Sequence, residues 1–161
     1  MSSGLVYMRP TPVFFVRCQE DEGVDGRLGC WHTLFQWLDS QAADDDNVLR
    51  LFGLHWPQGP KGSTEAIPAF DACAELAALP ETHSQMSVRK QTLPGGGFLR
   101  QRFRSDAEDH AVDALAELAS RGPQKHGVRQ DRTRPLIELH LQWTNAPLNF
   151  SKTELLVPVS P

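Results

Sequence analysis

A chain of 161 residues is long enough for one domain with a real hydrophobic core, or for two small modules fused into one. Its net charge of −4 argues against a surface built for nucleic-acid backbones, which relies on clustered Lys and Arg, and no helix-turn-helix pattern or basic arm is evident. No apolar run approaches the ~20 residues of a membrane span, the N-terminus has no signal-peptide core, and Cys18, Cys30 and Cys73 form no C-x-x-C pair, so they read as reduced thiols of a cytoplasmic protein.

Residues 5–18 are rich in strand formers, with Val6, Tyr7, Val13, Phe14, Phe15 and Val16 among them. Pro10 and Pro12 lack an N–H donor, so the start of this strand is expected at an edge or a bulge. A polar loop over 19–26 follows, in which Asp25 can cap the next element. Leu28, Trp31, Leu34, Phe35 and Leu38 recur at helical spacing and predict an amphipathic helix over 27–41, its stripe turned to the core. Residues 44–47 read as a solvated turn and 49–56 as a strand. Two Pro and two Gly make 57–64 a surface loop. The stretch 67–79 is strand-like around Phe70, Asp71, Ala72 and Cys73, although its alanines also suit a helix.

The same order then returns. Residues 86–93 predict a strand, Pro94 to Gly97 a turn or bulge, and 98–104 a further strand. Ser105 and Glu108 have capping-box spacing, opening a helix on Ala111, Ala114, Leu115 and Leu118 that stops at Gly122 and Pro123. A polar loop over 124–133 leads to the stretch 134–143, and 154–159 closes the chain. Within 136–143, Ile137, Leu139, Leu141 and Trp143 alternate with Glu138, His140 and Gln142. The first set can pack on a core. The second places a carboxylate in mid-strand, where Glu is a poor strand former. It fits a solvated sheet face or a cleft with Glu138 as its charged floor.

The two halves can be laid on each other. Phe52, Gly53, Leu54 and His55 align with Ile137, Glu138, Leu139 and His140, each set placed after a helix and before a last strand. The match suggests a tandem repeat with pseudo-twofold symmetry, with modules at about 5–79 and 84–160 in a single domain over 1–161. The expected fold is α+β: strand-helix-strand-strand modules sharing an antiparallel sheet, helices on one face and a cleft on the other. In the first half the counterpart of Glu138 is Gly53, which leaves the opposite wall open.

These pieces resemble the GyrI-like effector-binding domain of multidrug-responsive regulators and of stand-alone gyrase-inhibitory proteins. The resemblance is carried, in order, by Pro12 to Val16; Trp31, Leu34, Trp37 and Leu38; Phe52, Gly53 and Leu54; and Phe70 to Cys73. It continues through Leu93 to Phe98, Pro135 to Glu138, and Leu155 to Val159. It implies a small-molecule binding protein for lipophilic, in particular cationic, compounds, with Glu138 meeting the ligand's charge. Members often carry Tyr where this chain has His140, and the Tyr of a Tyr-Gly pair is Phe52 here. The regulators' DNA-binding half is absent from the sequence, so no direct nucleic-acid contact is expected.

His140, His55, Phe52, Trp56 and Phe98 join Glu138 as candidate ligand-binding residues, with Trp143 and Phe150 at the groove or its mouth. Parity assigns Trp143 to the helix side. Two histidines without a Cys or carboxylate cluster fall short of a usual zinc set, so no metal or cofactor is expected. Two further classes stay open. One is a protein-binding module acting on gyrase or a regulator. The other, implied by the resemblance because some members of the superfamily act this way, is a hydrolase of strained, cyclopropane-bearing compounds; here it would use Glu138 as acid or base, since no G-x-S-x-G or paired Cys supplies a nucleophile.

Overall fold

The computed structural model describes residues 3–19, 23–41, 47–57, 69–78, 88–103, 108–145 and 147–161. The first expected strand is two. Pro10 has no N–H to give a ladder, and the chain turns there, leaving β1 (Ser3–Met8) and β2 (Thr11–Gln19). Helix α1 (Gly23–Ser40) starts a turn earlier than its apolar stripe suggested, so Asp25 lies within the first turn, where a carboxylate suits the helix dipole. β3 (Val48–Trp56) and β4 (Ala69–Leu76) complete the first half as expected, with strand winning over helix at the alanines. The expected turn at 44–47 falls outside the described residues apart from Asn47, as does the loop at 57–64 apart from Pro57.

The second half runs β5 (Arg89–Leu93), β6 (Gly96–Phe103), α2 (Glu108–Lys125), β7 (Arg129–Gln130), β8 (Leu136–Asn145) and β9 (Leu148–Ser160). Ser105 of the expected capping box lies outside the described residues. α2 does not stop at Gly122 and Pro123. A Cβ on Gly122 would sit 2.4 Å from Leu99, so this glycine permits a close helix–strand approach rather than a helix end. The helix closes at Gly127 (φ 69°), where Gly127 N donates to Gln124 O and Val128 N to Pro123 O, a Schellman cap. The polar loop after it contains β7, which adds Arg129 and Gln130 beside Ser160 and Val159.

All pairings are antiparallel, and the sheet has nine strands in the order β1-β6-β9-β8-β3-β4-β2-β5, with β7 on β9. Exchanging the halves reverses this order onto itself. The pseudo-twofold axis therefore runs between β3 and β8, where Gly53 faces Glu138, its own counterpart in the repeat. The short connections before β2 and β6 touch: a Cβ on Gly95 would lie 2.6 Å from Pro10 N. Gly96 (φ 127°) lies under Arg134, whose guanidinium donates to Gly95 O, Gly97 O and Val159 O. The Pro-Gly-Gly-Gly turn is thus a seat for Arg134, not for a phosphate.

The two sheet faces bury different cores. One carries both helices: Trp31, Leu34 and Leu38 of α1 pack on Phe14, Leu51, Phe70 and Ala72, while Leu115 and Leu118 of α2 pack on Leu99, Leu155 and Val157. Ala111 is buried with them. The other face is filled by Phe15, Phe52, Leu54, Trp56, Phe98, Ile137, Leu139 and their neighbours. That cluster includes Leu93 and Phe98 from opposite ends of the strand order, so the sheet curls until its edges share a core. Among the described residues no helix is long and apolar enough to cross a membrane.

Candidate functional site

The register puts Leu51, Gly53 and His55 of β3 beside His140, Glu138 and Leu136 of β8 on the face that carries the helices. This corrects the expected side of the sheet. Alternation separates two faces, but both are buried here, so it cannot tell which one bears the helices. Ile137 and Leu139 fill the curled inner core, and Glu138 lies on the helix-bearing face beside α1, which supplies Arg27 and Trp31. Phe52, Trp56 and Phe98 go with the inner core and are not brought to Glu138, because they have the opposite parity or pair with residues that do. Trp143 does lie on the helix side, by another route. Register shifts on either side of Gln142 change the strand's parity and turn the indole into the α1 cluster with Leu148 and Phe150.

Glu138, His55 and His140 meet on the pseudo-twofold axis. Gly53 makes the meeting possible, since a Cβ there would lie 3.0 Å from Phe70 and 3.5 Å from Glu138 Oε2. Glu138 Oε2 is 2.6 Å from His55 Nε2, and Oε1 is 3.8 Å from His140 Nε2. The three residues are 2%, 7% and 2% exposed. His140 Nδ1 bonds Thr153 Oγ1 at 2.8 Å, while its buried Nε2 has no hydrogen-bond partner among the described residues. Rings close the site. Phe150 stacks on His140 with centroids 3.6 Å apart, Trp31 meets His140 edge-on at 5.6 Å, and Phe70 tilts over His55 at 5.0 Å.

Burial pushes the Glu138 pKa up, but the hydrogen bond and charge of His55, helped by His140 and Arg27, outweigh it and hold the carboxyl below its usual value. Burial lowers His140 to about 4, with Glu138 opposing and His55 reinforcing the drop. His140 is therefore neutral at neutral pH, and its approach to Glu138 is not an ion pair. Two participants escaped the sequence reading. Arg27 is a buried cation at the head of the Trp31–Leu34 stripe, and a charge on an apolar helix face was the available signal. Thr153 had none. Among the described residues no group of three His, Cys, Asp or Glu is arranged to hold a metal ion.

Among the described residues two open cavities lie elsewhere. One of about 550 Å³ runs between α2 and β7 past Arg129 and Arg132. The other, of about 520 Å³, crosses β4, β2 and β5 at Phe14, Glu75 and Lys90. Neither is lined by the Glu138 group, which is shut in by its rings.

A second buried carboxylate occupies the other face. Asp71 accepts from Arg17 at 2.6 and 2.8 Å, from Trp56 Nε1 at 2.9 Å and from Gln91 Nε2 at 2.9 Å. Burial and the Asp71 charge push the neighbouring Cys73 thiol well up, so this cysteine is no nucleophile.

No protein-family model and no curated protein sequence matches the chain. Solved structures do match. The EcmrR C-terminal domain superposes with a TM-score of 0.64 at 14% identity, over 99% of this chain and 97% of that one. SAV2435 bound to tetraphenylphosphonium gives 0.66 at 13%, over 99% and 94%. A hydrolase from Listeria innocua gives 0.62 at 15%, over 98% and 91%. Identities this low establish likeness of fold alone, and that fold, consistent with the GyrI-like resemblance of the sequence, is shared along nearly the whole chain.

Proposed function

We propose that the chain is one domain that binds lipophilic cations over Glu138, on the helix-bearing face of the sheet beside α1, and so senses or sequesters them. One observation carries this reading: a carboxylate withdrawn from water on the repeat axis, whose close partner is a titratable histidine and whose walls are aromatic. A charge in such a place is costly unless a cation meets it. Trp31, Phe70 and Phe150 add ring faces, and each desolvated cation–π contact contributes about 1–2 kcal/mol. Entry requires the rings to part, with Phe150, the half-buried member, moving off His140. SAV2435, of the same fold, is bound to tetraphenylphosphonium, which makes that cation the first probe.

The test is thermal. A ligand at ~100 times its dissociation constant stabilises the folded state by about 2.7 kcal/mol, so tetraphenylphosphonium and lipophilic dyes are expected to raise the melting temperature. If none does, while a pull-down recovers gyrase or another protein, a protein-binding role replaces this one.

A hydrolase is the second reading. It is favoured by the neutral His140 beside Glu138 at 3.8 Å, a pair able to orient and deprotonate a water. Turnover of a strained cyclopropane by the wild type, lost in Glu138→Gln, would establish it.

A further inference from the structure

The charge of Glu138 already has a close partner that can itself be positive. His55 Nε2 already lies 2.6 Å from Oε2, with both side chains buried. Arg27 from α1 is a further positive neighbour of the carboxylate. Among the described residues, Phe70 from β4 lies over His55, and Thr153 from β9 bonds His140. Among the described residues His140 of β8 is a further titratable group facing the pair. A ligand cation arriving at Glu138 beside a protonated His55 would bring two like charges together in a buried site that screens them poorly.

We infer that His55 is the resident cation of this site, and that a permanent lipophilic cation binds by exchange with its proton. The inference rests on the cation-binding reading above. In the free protein the imidazolium of His55 faces Glu138. When the ligand's charge arrives, His55 loses one N–H proton to the solvent buffer and keeps the other for its hydrogen bond to Oε2. Protein with one exchangeable proton plus a monocation gives complex plus a released proton, so charge balances at every stage. His140 cannot take this part, because burial keeps it neutral and Thr153 holds its Nδ1. The device needs a histidine one strand step from Gly53, across the axis from the carboxylate.

Two consequences follow from mass action. Affinity for a permanent cation rises with pH, by up to about tenfold per unit while His55 still holds its proton. A neutral ligand of the same shape shows no such slope.

The experiment is calorimetric titration of the wild-type protein with tetraphenylphosphonium at neutral pH, in phosphate and in Tris, whose heats of ionisation differ widely. The difference in observed heat counts protons, and release of about one per ligand is expected. Triphenylphosphine oxide, neutral and similar in shape, should release none. His55→Gln keeps a donor for Glu138 but cannot titrate, so its binding should release close to none and become independent of pH between about pH 6 and 8. Tetraphenylphosphonium binding with equal heats in the two buffers overturns this inference and leaves the binding site standing. Undiminished release in His55→Gln also overturns it. Absence of any binding by the wild type overturns both. Should His55→Gln fail to fold, the pH slope of wild-type affinity decides, and a flat slope counts against the exchange.

Discussion

Among the described residues each face of the sheet buries one carboxylate, and the two are held in opposite ways. Asp71 is saturated: a bidentate arginine, an indole and an amide converge on it. Arg17 is a permanent cation, raised further by its hydrogen bond to Asp71 against the opposing effect of burial. Glu138 has instead a titratable partner at 2.6 Å, a neutral histidine at 3.8 Å whose ring is packed by Trp31 and Phe150, and the more distant charge of Arg27. A carboxylate locked by fixed donors serves the fold, because nothing can be exchanged without breaking it. One balanced by a movable proton can take another cation.

The largest effect should come from the locked side. Asp71→Asn leaves the Arg17 charge uncompensated beside a buried amide, and a loss of roughly 3–5 kcal/mol in chemical denaturation is expected. A loss below about 1 kcal/mol would mean the cluster is dispensable and the contrast with Glu138 unfounded.

Next comes acid stability on the other side. His140 falls from 6.5 to about 4 on folding. Above pH 6.5 the group is neutral in both states. As pH drops, the unfolded chain takes a proton that the folded protein refuses, so stability is lost between 6.5 and about 4. The loss should total roughly 2–4 kcal/mol. Glu138, held below its usual value, and Asp131, held at about 2 by hydrogen bonds from Thr133 and Arg134, lose their contributions only at lower pH. The difference between wild type and His140→Asn across that window isolates the effect. Identical profiles would show that His140 titrates normally.

How much of this contrast was legible beforehand differs between the two sites. The mid-strand Glu138 stood out because it breaks the habit of β-strands, and the repeat marked Gly53, His55 and His140 as its counterparts and neighbours. The helix stripes at Trp31, Leu34, Leu115 and Leu118 were equally plain, since a period of 3.6 residues needs no partner to be read. The side of the sheet was not legible. Two buried faces give alternating residues no polar reference, and Phe52, Trp56 and Phe98 were therefore misplaced. The parity change at Gln142 carries no Gly or Pro to announce it. Asp71 gave no sign of its four hydrogen bonds, because Arg17, Trp56 and Gln91 reach it across strands whose register depends on the whole sheet.

A smaller effect should follow from filling the axis. Gly53→Ala puts a methyl 3.0 Å from Phe70 and 3.5 Å from Glu138 Oε2, in a space with little slack. Overpacking of this size costs about 1–2 kcal/mol, and it should weaken ligand binding more than its stability loss explains. A stabilised Gly53→Ala with intact binding would remove the steric role assigned to this glycine.

Glu138→Gln should barely change stability at neutral pH, by less than about 1 kcal/mol, because His55 can shed its proton and still donate to the amide oxygen. Its effect belongs to binding, and it tests the central claim most directly. Tetraphenylphosphonium and neutral triphenylphosphine oxide are titrated into wild type and Glu138→Gln side by side. The account predicts that the wild type prefers the cation. The variant should lose that preference through a ten- to hundredfold drop in cation affinity, equivalent to ~1.5–3 kcal/mol, with its melting temperature nearly unchanged. A variant that binds the cation as tightly as the wild type, yet melts many degrees lower, would make Glu138 a structural carboxylate like Asp71 and contradict the account.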